Sequence, residues 1–309
     1  MTFVKGLVWL LAAVLALGCA APRIPPPPPG PVALDRPETA IPSELDVVVR
    51  VDLGKVRAAL GESTLLRLRQ RAAERMGGQP EHERMIGDLL LASDTVLIAF
   101  RPSTQARQLD SVLVFRGRMQ SFAPQSYAIQ PAFGGPMDLG RDLRRHDRKS
   151  QVRSQPARVY LASADTVVLV SEAALDSVER RLERGELDPH LEAPAKGLLA
   201  VAARGPALSA WVEDRSVRVA GLLSRADEVL GHADIDAQEV RVEISMKMED
   251  PERARLFADA LREITDAMTQ LSDRLEPLRR GLQVRAVAQQ VVVTLRMPLE
   301  ELSALVEAR

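Results

Sequence analysis

The chain has 309 residues, with 41 basic and 42 acidic side chains, a formal charge of −1 and 3% aromatic residues. So even a charge balance argues against nucleic acid as the main partner, and so few aromatic rings argue against a sugar-binding or base-stacking surface. One cysteine, Cys19, excludes an intrachain disulfide, so any fold must be held by its apolar core.

Lys5 precedes an unbroken apolar run over residues 7–17, followed by Gly18 and Cys19. A membrane span needs ~20 apolar residues, so this shorter run reads as a removed export signal covering residues 1–18. The stretch Leu15-Ala16-Leu17-Gly18-Cys19 resembles the lipobox of bacterial lipoproteins. That family prefers leucine three places before the cysteine, where this chain has Ala16. The resemblance implies cleavage before Cys19, diacylglycerol on its sulfur and an acyl group on its new amino terminus. Each buried methylene contributes ~0.8 kcal/mol, so two or three such chains hold a protein on a membrane. Ala20, where aspartate would favour the inner membrane, implies the outer membrane and its periplasmic face.

Residues 19–43 form the lipidated cysteine and a proline-rich linker, with Pro25 to Pro29 in succession. Proline fixes φ and removes a donor, so an extended polyproline spacer is expected at ~3.1 Å per residue. Beyond it, Val47, Val49, Val51 and Leu53 alternate in a strand. Helix is expected over 55–76, weakened at Gly61, and again over 80–92. Residues 95–100 and 111–118 are β-branched runs suited to a hairpin, 121–156 is irregular, and 158–162 with 166–171 makes a second hairpin. Helix over 173–183 closes this half.

The second half starts after the prolines at 189 and 194 with a strand over 198–202. Leu208, Val212, Val219, Leu222, Ala226 and Val229 fall at helical spacing, so 207–230 is expected to be mostly helical. Residues 240–248 alternate cleanly, Val240 to Met248 on one face and Arg241 to Lys247 on the other. A long helix over 252–278 opens with Asp250 as cap and Pro251 in its first turn, and Pro277 should end or kink it. Its stripe runs through Phe257, Leu261 and Met268. A hairpin over 282–287 and 291–297 and a last helix over 299–307 follow.

These patterns predict an α+β protein of antiparallel sheets with helices packed on one face. Two domains are expected, over 44–192 and 193–309, as related β-α-β-β-α halves that resemble ferredoxin-like units. The strand Val49-Arg50-Val51-Asp52-Leu53 is similar to the opening of secreted bacterial proteins with repeated hairpin-helix units, a resemblance that implies no particular activity.

No Gly-x-Ser-x-Gly elbow, phosphate-binding glycine loop or zinc-protease signature occurs, so no enzyme activity and no cofactor is expected. His232, Asp234 and Asp236 would share one face of an extended segment, which makes them the candidate metal ligands. Arg141, Arg144, Arg145, Arg148 and Lys149 form a basic stretch that could meet lipid headgroups or an anionic polymer. The expected function is a non-catalytic, lipid-anchored envelope protein in the periplasm that binds an envelope protein or polymer. The alternative is a carrier of an apolar or lipid ligand, in a cavity lined by Met246, Met248, Phe257 and Met268.

Overall fold

The valine alternation after residue 46 forms β1 (Val47–Asp52), which lies in the middle of an antiparallel sheet of 12 described strands. The structure, a computed structural model, describes residues 30–32, 34–61, 66, 80–102, 110–119, 133–149, 156–213, 217–236, 238–271 and 276–301. It divides into two compact units, Met1–Gly30 and Pro31–Arg309, and every element below belongs to the second. Cys19, the expected export signal and the linker as far as residue 29 lie outside the described residues; the rest of the linker, expected as an extended spacer, instead packs against the sheet and buries Leu34, Ala40 and Ile41.

Asp52 caps α1 (Leu53–Leu60) by accepting the Lys55 N–H at 2.9 Å, and Gly61, at φ +77°, ends it. The helix expected to continue to residue 76 passes outside the described residues. Then come α2 (Pro80–Ala92), β2 (Ser93–Arg101) and β3 (Asp110–Gly117). The hairpin β6 (Arg158–Ala162) and β7 (Thr166–Val170) leads into α3 (Leu175–Leu182). In the second half β8 (Leu199–Arg204) is followed by α4 (Gly205–Val212) and α5 (Val217–Leu223). The strand β10 (Glu239–Met248) leads to α6 (Pro251–Leu271), whose cap Asp250 accepts the Arg253 N–H at 2.7 Å. A short α7 (Glu276–Gly281), with Pro277 in its first turn, precedes the hairpin β11 (Leu282–Val287) and β12 (Gln290–Pro298).

Two further segments depart from expectation. The stretch 121–156, read as irregular, holds β4 (Met137–Gly140) and β5 (Leu143–Asp147). In β5 Arg145 and Asp147 find partners farther along the chain, Glu183 and Arg158, so the local pattern does not look half-buried. The helix expected to reach residue 230 stops at Leu223, and β9 (Ala226–Asp236) begins. A bulge at Asp227 explains the misreading. It lies where the pairing of Ala226 with Met248 shifts to that of Glu228 with Lys247. The extra residue puts Ala226 and Val229 on the same face at a spacing of three, which imitates a helix.

The strand order is β11-β12-β10-β9-β8-β1-β2-β3-β7-β6-β5-β4. Read outward from the central antiparallel pair β1 and β8, both halves run in one order, β1-β2-β3-β7-β6 and β8-β9-β10-β12-β11. The echo reaches single residues. Asp94-Thr95-Val96-Leu97 and Asp227-Glu228-Val229-Leu230 occupy equivalent places, each with a bulge at its aspartate. Both outer hairpins turn through a residue of positive φ, Ser163 at 52° and Ala288 at 51°. The two domains expected over 44–192 and 193–309 are instead parts of one compact unit, Pro31–Arg309, in which two runs of the same strand order join edge to edge in one sheet. Each is longer than β-α-β-β-α, with two described helices after the first strand.

Side chains alternate between the two sheet faces. On one face α1 and α2 cover Val96, Phe115, Val167 and Leu169 in the first half. There α4, α5 and α6 cover Val229, Met246, Met248 and Val291 in the second. The opposite face of the first half carries Val48, Leu97, Val112, Val114 and Val168. It is sealed by α3 and by a strap, residues 31–45, that buries Leu34, Ala40, Ile41 and Leu45. Helices thus lie on one face of the second half and on both faces of the first.

Candidate functional site

Beyond Ala200, Ala202 and Leu230, which join the sealed core, the strap face of the second half has no such cover among the described residues, and the cause is legible in the repeat. Positions that are Ala99, Val112, Val114 and Val170 in the first half become His232, Glu243, Ser245 and Thr294 in the second. Polar side chains on a pleated face are satisfied by water and by each other, so no helix is needed to bury them. Two cross-strand rows result, His232-Glu243-Thr294 and Asp234-Arg241-Arg296, running over β9, β10 and β12.

These rows line a concavity of about 630 Å³ with Lys196 beside it. Arg241 donates to Glu239 at 2.6 Å and pairs with Asp236 at 3.3 Å. Asp234 accepts the Ile235 N–H at 3.0 Å. Arg296 stands directly opposite Arg241, is exposed, and forms no ion pair among the described residues. The surface is therefore polar, of mixed sign and partly uncompensated.

The extended spacing does place His232, Asp234 and Asp236 on one face of β9. It also spreads them, because same-face neighbours on a strand are ~6.8 Å apart. Asp236 is held by Arg241, and among the described residues no three metal-ligating side chains converge to hold an ion.

The basic stretch is divided by the fold. Arg145 turns inward to Glu183 at 3.0 Å and Asp147 at 3.2 Å, and Arg148 reaches Glu172 at 3.0 Å. Arg141 and Arg144 flank the β4–β5 turn without an ion pair among the described residues, and Lys149 is exposed.

Sequence reading missed what compensates the inward arginines. Arg158 donates to Asp147 at 2.7 Å, Glu179 at 3.2 Å and Glu183 at 3.3 Å. The Tyr160 hydroxyl accepts from Arg158 at 3.0 Å and donates to Glu183 at 2.7 Å, in a ring that is 0% exposed. Burial holds the Tyr160 phenol above its ordinary range, and the bond to Glu183 adds to this against the opposing pull of Arg158. The visible signal was the spacing of Glu179 and Glu183, four apart on one face of α3. This network fastens α3 to β5 and β6.

Met246, Met248 and Phe257 pack in the second-half core. No cavity lined by Met246 opens among the described residues, and the Met268 side chain lies outside them; Met248 and Phe257 do line an apolar crevice of about 400 Å³ between α5 and α6, with Leu222, Leu256 and Ala260 beside them and Arg225 and Arg253 at its rim. Among the described residues no helix is long and apolar enough to cross a membrane.

No protein-family model matches the chain, and no curated protein sequence matches it. Among solved structures it is similar to crystal form III of TP0453, at 10% identity and a TM-score of 0.47, over 89% of this chain and 98% of that one. Crystal form I of TP0453 matches at 11% identity and the same TM-score, over 88% and 97%.

Proposed function

We propose that this is a lipid-anchored cell-envelope protein, held through Cys19, whose α+β domain presents the open face of its second half-sheet to an envelope protein or polymer. One observation carries the reading. The same strand order is sealed on both faces in the first half and carries polar residues on the open face of the second, at His232, Glu243 and Thr294. A face freed of its cover in this way is available for a ligand, and its mixed charge suits a polar partner better than a lipid tail. The role is non-catalytic, and the anchor places it on the periplasmic side of the outer membrane.

The test has two arms. Cys19→Ser should release the protein from the membrane fraction or leave it uncleaved, and intact mass should show acyl groups on the wild type alone. A wild type that keeps its export signal and its place in the membrane would refute the anchor. A photo-crosslinker at Thr294 should capture one discrete adduct in cells, abolished by Arg296→Glu. Equal labelling from Thr294 and from exposed Val217 on α5 would refute the open face as the binding surface.

The crevice between α5 and α6 favours a second reading, a carrier of an apolar ligand. A small apolar mass bound in native mass spectrometry, and lost in Ala260→Trp, would select it.

A further inference from the structure

Arg181 on α3 is 4% exposed, and its partners form an unusual set. Its Nε donates to the Thr39 carbonyl of the strap at 2.6 Å, and one terminal nitrogen donates to the Asp188 carbonyl at 2.8 Å. The other terminal nitrogen lies 2.8 Å from Nδ1 of His190. A guanidinium has no acceptor, so Nδ1 must offer its lone pair, and the single ring proton must sit on Nε2. That Nε2 is buried without a hydrogen-bond partner. A second proton on this ring would point at Arg181 and remove the acceptor it uses.

The strap meets the same place through several other groups. The Val32 N–H donates to the Leu182 carbonyl at 2.9 Å. Arg36 pairs with Glu192 at 3.0 Å, and Glu44 takes Arg180 at 2.7 Å and Ser177 at 3.1 Å. We propose that the Arg181–His190 contact is a pH latch: protonation of His190 breaks it and loosens residues 31–45 from α3. The latch stands whether or not Cys19 carries lipid. On the anchored reading its release would lengthen the tether by up to ~50 Å, at ~3.3 Å for each freed residue.

The charged groups facing the ring act in both directions. Burial and Arg181 disfavour the imidazolium, while Glu192, 3.7 Å from Nε2, and Glu38 in the strap favour it. Burial and Arg181 prevail, and the ring titrates below its ordinary value of 6.5. The sign follows. Well above pH 6.5 the ring is neutral whether the strap is docked or free, and the latch is whole. As pH falls below 6.5 the freed state takes up a proton that the docked state resists, so docking weakens until the docked ring also titrates.

Hydrogen exchange of the full chain in detergent, at about pH 7.5 and about pH 5.5 and corrected for intrinsic rates, tests this. Protection of the Val32 amide should fall by up to roughly tenfold at the lower pH relative to amides of β7. His190→Asn keeps an acceptor near the Nδ1 position and cannot titrate, so its strap should show no such fall. Equal loss in the variant, or none in the wild type, would overturn the latch. Should the variant not fold, the His190 ring titration in the wild type by NMR decides: a midpoint at or above 6.5 overturns the proposal. The same exchange measured on Cys19→Ser separates failure of the latch from failure of the anchor.

Discussion

Replacing Arg158 with methionine removes the one cation that touches Asp147, Glu179 and Glu183 together. The Arg158 and Glu183 side chains are only 12% and 15% exposed, so this is a buried pair rather than a surface one. Removing one partner of such a pair costs ~3–5 kcal/mol, because the other charge stays buried. Glu183 keeps Arg145 at 3.0 Å and Tyr160 at 2.7 Å, which places the expected loss near the lower end. Tyr160→Phe deletes a hydroxyl bonded to a carboxylate, a loss of ~1.5–3 kcal/mol. Both changes act on Glu183, so the double variant should differ from the sum by ~0.5 kcal/mol or more. The reference is Arg253→Met, whose partner Glu249 is exposed, with an expected cost of ~0–1 kcal/mol. Urea unfolding of the wild type and these four variants measures all terms. An Arg158→Met variant no less stable than Arg253→Met would refute the claim that this network fastens α3 to the sheet.

The outer edge of β11 is guarded by α6, where Arg262 donates to the Val284 carbonyl from two nitrogens at 2.9 and 3.2 Å. Arg262→Ala uncovers an edge acceptor, so concentration-dependent self-association should appear in analytical ultracentrifugation while the monomer loses ~1 kcal/mol or less. At Gly281 an added Cβ would lie 2.1 Å from the Arg296 carbonyl, and backbone cannot yield as a flexible side chain does. Gly281→Ala should cost ~1–3 kcal/mol by overpacking. Gly231→Ala, whose Cβ would meet Ile244 at 3.5 Å, should unfold thermally close to the wild type; equal losses in both would contradict the steric account.

Local pattern was a good guide where burial alternates or where a cap marks a boundary. Val240 to Met248, Asp250 with Pro251, and the β11–β12 hairpin all lie as their spacing implies, because each signal depends on near neighbours. It misled at Ala226 and Val229, where a bulge supplied helical spacing inside a strand. It was silent at β5, because Glu172 and Glu183, the partners that let Arg148 and Arg145 turn inward, come from a segment the sequence joins only later.

From the sequence alone came the class, antiparallel strands with helices, because periodicity is local; the two domains expected to part near residue 193 are instead one compact unit. The repeat of elements was visible too. Tertiary structure alone decided that the halves share one sheet through β1 and β8, and that the strap and α3 seal one half while the other's face beyond β8 has no such cover among the described residues. It also brought His190 against Arg181, and Arg181 against Thr39, which lies 142 positions earlier. Such contacts depend on which faces meet across the sheet, and no spacing along one strand or helix encodes that.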